Sequence, residues 1–125
     1  MSAHVRTLLA PIILGIMLSS CAPEINVNDI PVYPKARNIT REGPLTAIPE
    51  FTYVWRFTTN DAPDVVWQFY TTEMSRKWGF DDQTQFQDRT LSLNSCPFYY
   101  LDMTSTSIDS TTYAITVKFH KEVCY

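Results

Sequence analysis

Apolar and polar residues alternate without a break over Phe51–Thr59 (FTYVWRFTT). Phe51, Tyr53, Trp55 and Phe57 fall on one side, and Thr52, Val54, Arg56 and Thr58 on the other. A period of two with aromatic side chains predicts a strand whose bulky face covers a core. From Ala62 to Trp78 the pattern becomes helical. Asp61 is placed to cap this helix, and Pro63 sits in its first turn, where a missing N–H costs nothing. Val65, Val66, Trp67, Phe69, Tyr70, Met74 and Trp78 form the apolar arc, with its first two turns buried. Gly79 is the expected left-handed stop, and Phe80 can fold back on the last turn. Asp81–Asp88 is polar and predicts a loop. Alternation returns at Arg89–Ser95, Phe98–Thr106 and Thr112–Val123, three further strands with a turn around Ser105–Thr111.

Residues 22–50 behave differently, because five prolines in this stretch exclude a helix and discourage a central strand. Residues 21–29 read as a tether ahead of the domain. Apolar residues return from Ile30, and the segment then predicts extended chain on the domain, with a short edge strand around Arg37–Arg41. The order strand, helix, three-strand meander predicts an α+β two-layer sandwich. One main helix packs on a mostly antiparallel sheet of about four strands, β-α-β-β-β, within a single domain at residues 30–125.

The first twenty residues change the picture of where the chain works. Leu8–Leu18 is an apolar run of eleven, preceded by Arg6. A spanning helix needs about 20 apolar residues, so the run fits the core of a secretory signal at residues 1–20. Leu18-Ser19-Ser20-Cys21 follows. Small residues before the cut and a cysteine after it resemble the lipobox of bacterial lipoprotein precursors. The resemblance implies acylation of the Cys21 thiol, cleavage before it and a chain exported to a membrane. The site is either the outer membrane or the outer face of the cytoplasmic one. Two or more acyl chains give lasting attachment where one does not. Beyond residue 20 the chain holds nine basic against 13 acidic residues and no Lys/Arg cluster. That excludes nucleic acid as an expected partner.

Export also bears on the cysteines. With Cys21 lipidated, Cys96 and Cys124 remain, and in an oxidising compartment they are expected to pair. If Cys96 faces Cys124 across the final hairpin, Leu101 faces Phe119 and Met103 faces Val117. A slip of one residue would set every apolar side chain against a polar one. Free thiols, or a metal site on His120, Glu122 and Cys124, are the weaker alternatives, the latter lacking a fourth ligand nearby.

His120 is the one histidine beyond the signal and reads as a solvated side chain on a polar strand face beside Lys118 and Lys121. No G-x-S-x-G, P-loop, G-x-G-x-x-G or H-E-x-x-H is present. Asp81, Asp82 and Asp88 lack calcium-loop spacing. The expectation is a protein that is not an enzyme and needs no cofactor or metal. Its partners are the membrane, through Cys21, and an envelope protein. Trp67 and Trp78, at the edge of the helix arc, and Tyr70 are the candidate partner or ligand aromatics, with core packing in a small domain as the other reading. They would serve either an assembly surface or a pocket for a sugar or small molecule between helix and sheet.

Three local patterns are similar to a group of small, uncharacterised bacterial lipoproteins. Pro31-Val32-Tyr33-Pro34-Lys35-Ala36 resembles its Pro-x-Tyr-Pro-Gly-Ala. Thr59 to Tyr70 resembles its Thr-x-Asp-Ser-Pro-Glu-Glu-Val-x-x-Phe-Tyr, and Trp78-Gly79-Phe80 resembles its helix stop at Gly-Trp. Lys35 stands where that group has Gly, which argues against a tight turn there. The resemblance covers residues 30–80 and implies a fold and an address, with no activity attached.

Overall fold

The structure is a computed structural model that describes residues 24–45, 50–84 and 89–124. Cys21 and the apolar run before it lie outside the described residues. Six strands form one antiparallel sheet: β1 Arg37–Glu42, β2 Phe51–Thr59, β3 Asp81–Asp82, β4 Arg89–Leu93, β5 Phe98–Ser107 and β6 Tyr113–Glu122. Their spatial order is β1-β2-β6-β5-β4-β3. One helix, α1 at Pro63–Trp78, lies between β2 and β3 in the chain. The fold is thus mostly sheet, in chain order β-β-α-β-β-β-β. This corrects the expected four-strand, two-layer β-α-β-β-β sandwich.

Neither edge of the sheet carries an apolar period: β1 is the edge strand expected around Arg37–Arg41, and β3 falls where a loop was expected. Asp81 and Asp82 pair with Ser92 and Leu91 through backbone hydrogen bonds, which require no apolar side chain. All six residues of β1 are exposed, so no buried face writes a period into its sequence. A shift in the pairing of β1 falls between Arg37 and Thr40. There Asn38 takes φ 53°, a left-handed conformation that asparagine tolerates better than most residues.

The central hairpin follows the apolar pattern. Leu101 faces Phe119 and Met103 faces Val117. Cys96 and Cys124 are joined by a disulfide with Cα atoms 5.6 Å apart. On its other side β6 pairs with all nine residues of β2, bringing Trp55 opposite Val117 and Phe57 opposite Ile115. These side chains, with Leu91 and Tyr99, build the core on one face of the sheet.

Two pieces of chain cover that face. The helix contributes Val66, Trp67, Tyr70 and Met74, and lies against β3 and β4. The segment before β1 contributes Ile25, Ile30 and Tyr33, each less than a tenth exposed. The packed part of the chain therefore begins ahead of Ile30, within the stretch read as a tether. Lys77 Nζ donates to the Asp29 carbonyl at 3.0 Å, joining the two covers.

The helix starts at Pro63 with Ala62 as an N-cap that offers no side-chain bond. Asp61, expected to cap it, instead accepts a hydrogen bond from the Tyr33 hydroxyl. The stop is as expected: Gly79 has φ 79°, its N–H donates to the Ser75 carbonyl at 2.8 Å, and Phe80 is buried. At Tyr33–Ala36 a turn closes despite Lys35, with the Ala36 N–H donating to the Tyr33 carbonyl at 3.0 Å. Pro34 pre-sets its first corner, and a turn of this kind asks no positive φ of Lys35.

The disulfide closes a loop of 28 residues in sequence separation, worth about 3–4 kcal/mol in the chain-entropy description. Replacing Cys96 and Cys124 together by serine should lower the urea unfolding free energy by roughly that amount. An unchanged midpoint would show the bond to be absent or irrelevant to stability.

Candidate functional site

Two surfaces gather functional side chains. The first lies on the outer side of the helix. Tyr33 is fixed between Phe57, stacked at 6.2 Å between centroids, and Phe69, edge-on at 5.3 Å. Burial, with the hydrogen bond to Asp61 and the negative charge of that carboxylate, pushes its phenol up to about 12. It therefore remains a neutral donor across the physiological range. Pro34 and Lys35 continue from it, and Val65, Gln68, Phe69, Thr72 and Glu73 face them from α1. Together they frame a groove of about 370 Å³, predominantly apolar. Val65, in this lining, is 51% exposed. A more polar hollow of about 350 Å³ continues along Pro34–Arg37 to Thr59, Asn60 and Asp61.

Trp67, Tyr70 and Trp78 sit on the other side of the helix. Trp67 is 9% and Tyr70 2% exposed, and both belong to the core, with Trp78 packed half-buried against it. Burial pushes the Tyr70 phenol above its ordinary range, a backbone hydrogen bond with Tyr33 offsetting part of this. Neither Trp67 nor Tyr70 has a free face for a partner, and the groove is lined by other residues. The cause is a rotation of the expected arc. Val65 points outward and Phe69 to the margin, so the buried stripe runs along Val66, Trp67, Tyr70 and Met74. The signal was available at Pro31–Pro34: an extended segment carrying Tyr33 needs a partner ring, and Phe69 supplies it.

The second surface is the sheet face away from the core. Here His120 is braced on both sides. Its Nδ1 lies 3.1 Å from the Thr52 Oγ1 on β2, and its Nε2 3.2 Å from the Asp102 Oδ2 on β5. Asp102 in turn has hydrogen bonding to Thr90 on β4, and it faces Lys118. Burial alone would raise the Asp102 pKa. The hydrogen bonds from His120 and Thr90, with the charges of His120 and Lys118, outweigh it and hold this carboxyl below its ordinary range. His120, read from sequence as solvated, is thus the middle of a chain crossing four strands. The register made this foreseeable: Tyr100 faces His120, and a residue two positions along on the same face, Asp102, falls within diagonal reach.

A hydroxyl, an imidazole and a carboxylate in a row share their order with hydrolytic triads. Attack by Thr52 additionally requires space for an electrophile beside its hydroxyl. The hollow on this face, of about 300 Å³, is lined by Arg89, Thr90, Asp102, Met103, Thr104, Thr116 and Lys118. It lies beyond Asp102, away from Thr52. The arrangement ties four neighbouring strands together through their side chains.

Among the described residues no group of three or more His, Cys, Asp or Glu side chains is arranged to hold a metal ion. No described helix is long and apolar enough to cross a membrane. No protein-family model matches the chain, and no curated protein or solved structure matches it either.

Because the folded pKa of Asp102 lies below its unfolded value of about 3.9, its contribution is complete above that value. It is lost as pH falls through the folded pKa. Asp102→Asn should flatten the stability profile on the acid side of about pH 4, read by urea midpoints against pH. An identical acid limb in the variant would remove Asp102 from the account. Tyr33→Phe keeps the ring contacts but strands the Asp61 carboxylate, at an expected cost of about 1–2 kcal/mol by the same titration; no loss would show that hydrogen bond to be idle.

Proposed function

We propose that this chain is an exported, lipid-anchored cell-envelope protein that binds or assembles with a partner and catalyses no reaction. The observation that carries this reading is the sequence Leu18-Ser19-Ser20-Cys21 directly after the apolar run Leu8–Leu18. Such a run is too short to span a bilayer and suits a cleaved signal. A cysteine at the cut supplies the thiol for the anchor, and the membrane is the outer one or the outer face of the cytoplasmic one. The Cys96–Cys124 bond supports the same address, since disulfides persist in oxidising compartments.

The binding role draws on the groove at Tyr33, Pro34, Val65 and Phe69. The exposed Val65 in its lining favours an apolar segment of another protein over water. The aromatic residues first considered for a ligand pocket, Trp67 and Tyr70, are occupied by core packing. The groove replaces them as the surface in question.

Mass spectrometry of the protein extracted from its native membrane tests the anchor. The expected species begins at Cys21, carries acyl chains and lacks the two thiol hydrogens of Cys96 and Cys124. Cys21→Ser should yield an unacylated chain that leaves the membrane fraction. A native chain retaining residues 1–20 with a free Cys21 thiol would refute the reading.

A further inference from the structure

The first described residues fix where the chain leaves the domain. Ile25 is 3% exposed, and its N–H donates to the Tyr99 Oη at 3.3 Å. One residue earlier, Glu24 Oε1 accepts from Lys121 Nζ at 2.7 Å, and the Lys121 side chain is only 12% exposed. Lys121 also lies over the Phe51 ring, 5.6 Å from its centroid. The chain is therefore already seated at Glu24, three peptide steps after Cys21. Fully extended, three steps span at most about 11 Å.

That exit point lies at one end of the sheet. Phe51 begins β2, Phe98 begins β5 and faces Glu122 near the end of β6, and Leu93 ends β4. The disulfide lies just beyond these strand ends, and exposed Leu45 follows β1 beside Thr52. The opposite end holds the β5–β6 turn at Ser107–Tyr113, with Ile108 56% exposed. A strand of this length, ten residues in β5, spans about 34 Å.

We propose that the Phe51–Phe98–Glu122 end of the sheet rests on the phospholipid headgroup layer of the chain's own membrane. The Ile108 turn then points outward, about one strand length away. The inference rests on acylation of Cys21 as proposed above and adds an orientation to it. A leash of about 11 Å is much shorter than the sheet, so the domain cannot turn its far end to the bilayer. The occupant is a headgroup layer rather than a protein because the leash ends in that layer. The seat does not depend on acidic lipid. Glu24, Glu50 and Glu122 lie at or near this end, and Lys121 is already paired with Glu24, so it offers no basic cluster for such lipid to attract. The polar hollow at Arg37, Thr59 and Asn60 lies toward the outward end. It is presented to other envelope components instead of to lipid.

The test uses the full acylated protein in phosphatidylcholine nanodiscs containing a gadolinium-chelating lipid, with amide signals read by NMR. Signals of Phe51, Phe98 and Glu122 should be lost or strongly attenuated, while those of Ile108–Thr111 keep most of their intensity. A Gly/Ser insert of about 20 residues between Ala22 and Pro23, with an r.m.s. span of about 25 Å, should abolish the difference between the ends. Uniform attenuation, or stronger loss at Ile108–Thr111, in protein whose acyl mass has been verified would overturn the orientation and leave the anchor standing. Persistence of the contrast in the insert variant would overturn the leash as its cause. An unacylated Cys21 would remove the anchor and the orientation together.

Discussion

The pairing register of β6 is the constraint on which the other features depend. This strand lies between β2 and β5 and hydrogen-bonds along its length to both. Its alternate residues Ile115, Val117 and Phe119 are each 1% exposed or less. In antiparallel pairing a shift of one residue exchanges the two faces. It would turn Lys118 and His120 into the core and bring Val117 and Phe119 to water. Burying an unpaired Lys in that position costs far more than the strand can recover elsewhere. The disulfide beyond the strand ends and the apolar parity within them therefore specify one and the same alignment.

Both faces of the sheet inherit their character from that alignment. On the inner face, Trp55, Phe57, Leu101 and Met103 join the β6 residues to form a continuous apolar floor. A single helix cannot cover a floor of this width, and the proline-rich segment before β1 supplies the remainder through Ile25, Ile30 and Tyr33. The prolines suit that task, since chain lying on a core without strand partners has few backbone bonds to lose. On the outer face, the same register aligns Thr52, His120, Asp102 and Thr90 into a polar brace over four strands. The seat of the N-terminus follows as well. Tyr99 and Lys121 stand opposite each other on β5 and β6, and together they receive Ile25 and Glu24.

Elements that bury one side were legible in the sequence. The alternation at Phe51–Thr59, the helix with its Gly79 stop and the facing pairs of the last hairpin all carry the imprint of a core. Elements held by backbone bonds alone were not: Asp81–Asp82 has two acidic side chains in water and no period to read. Side-chain choices between near-equal partners were also hidden. Asp61 stands where a helix cap is expected, but the Tyr33 hydroxyl reaches it through a tertiary contact that no local pattern encodes. Val65 and Phe69 fit the apolar arc as well as Trp67 does, and only the placement of the N-terminal segment decides which of them is covered. The groove was missed for that reason, while Trp67 and Tyr70 pack in the core, as large side chains in a small domain are expected to do.

Register can be observed directly. In the oxidised full-length chain, cross-strand nuclear Overhauser contacts between backbone protons report which residues face one another. Leu101 facing Phe119 and Met103 facing Val117 are the pairs predicted, with Trp55 facing Val117 on the other side of β6. Contacts displaced by one residue, placing Leu101 opposite Lys118 or His120, would contradict the core, the brace and the seat of the N-terminus at once.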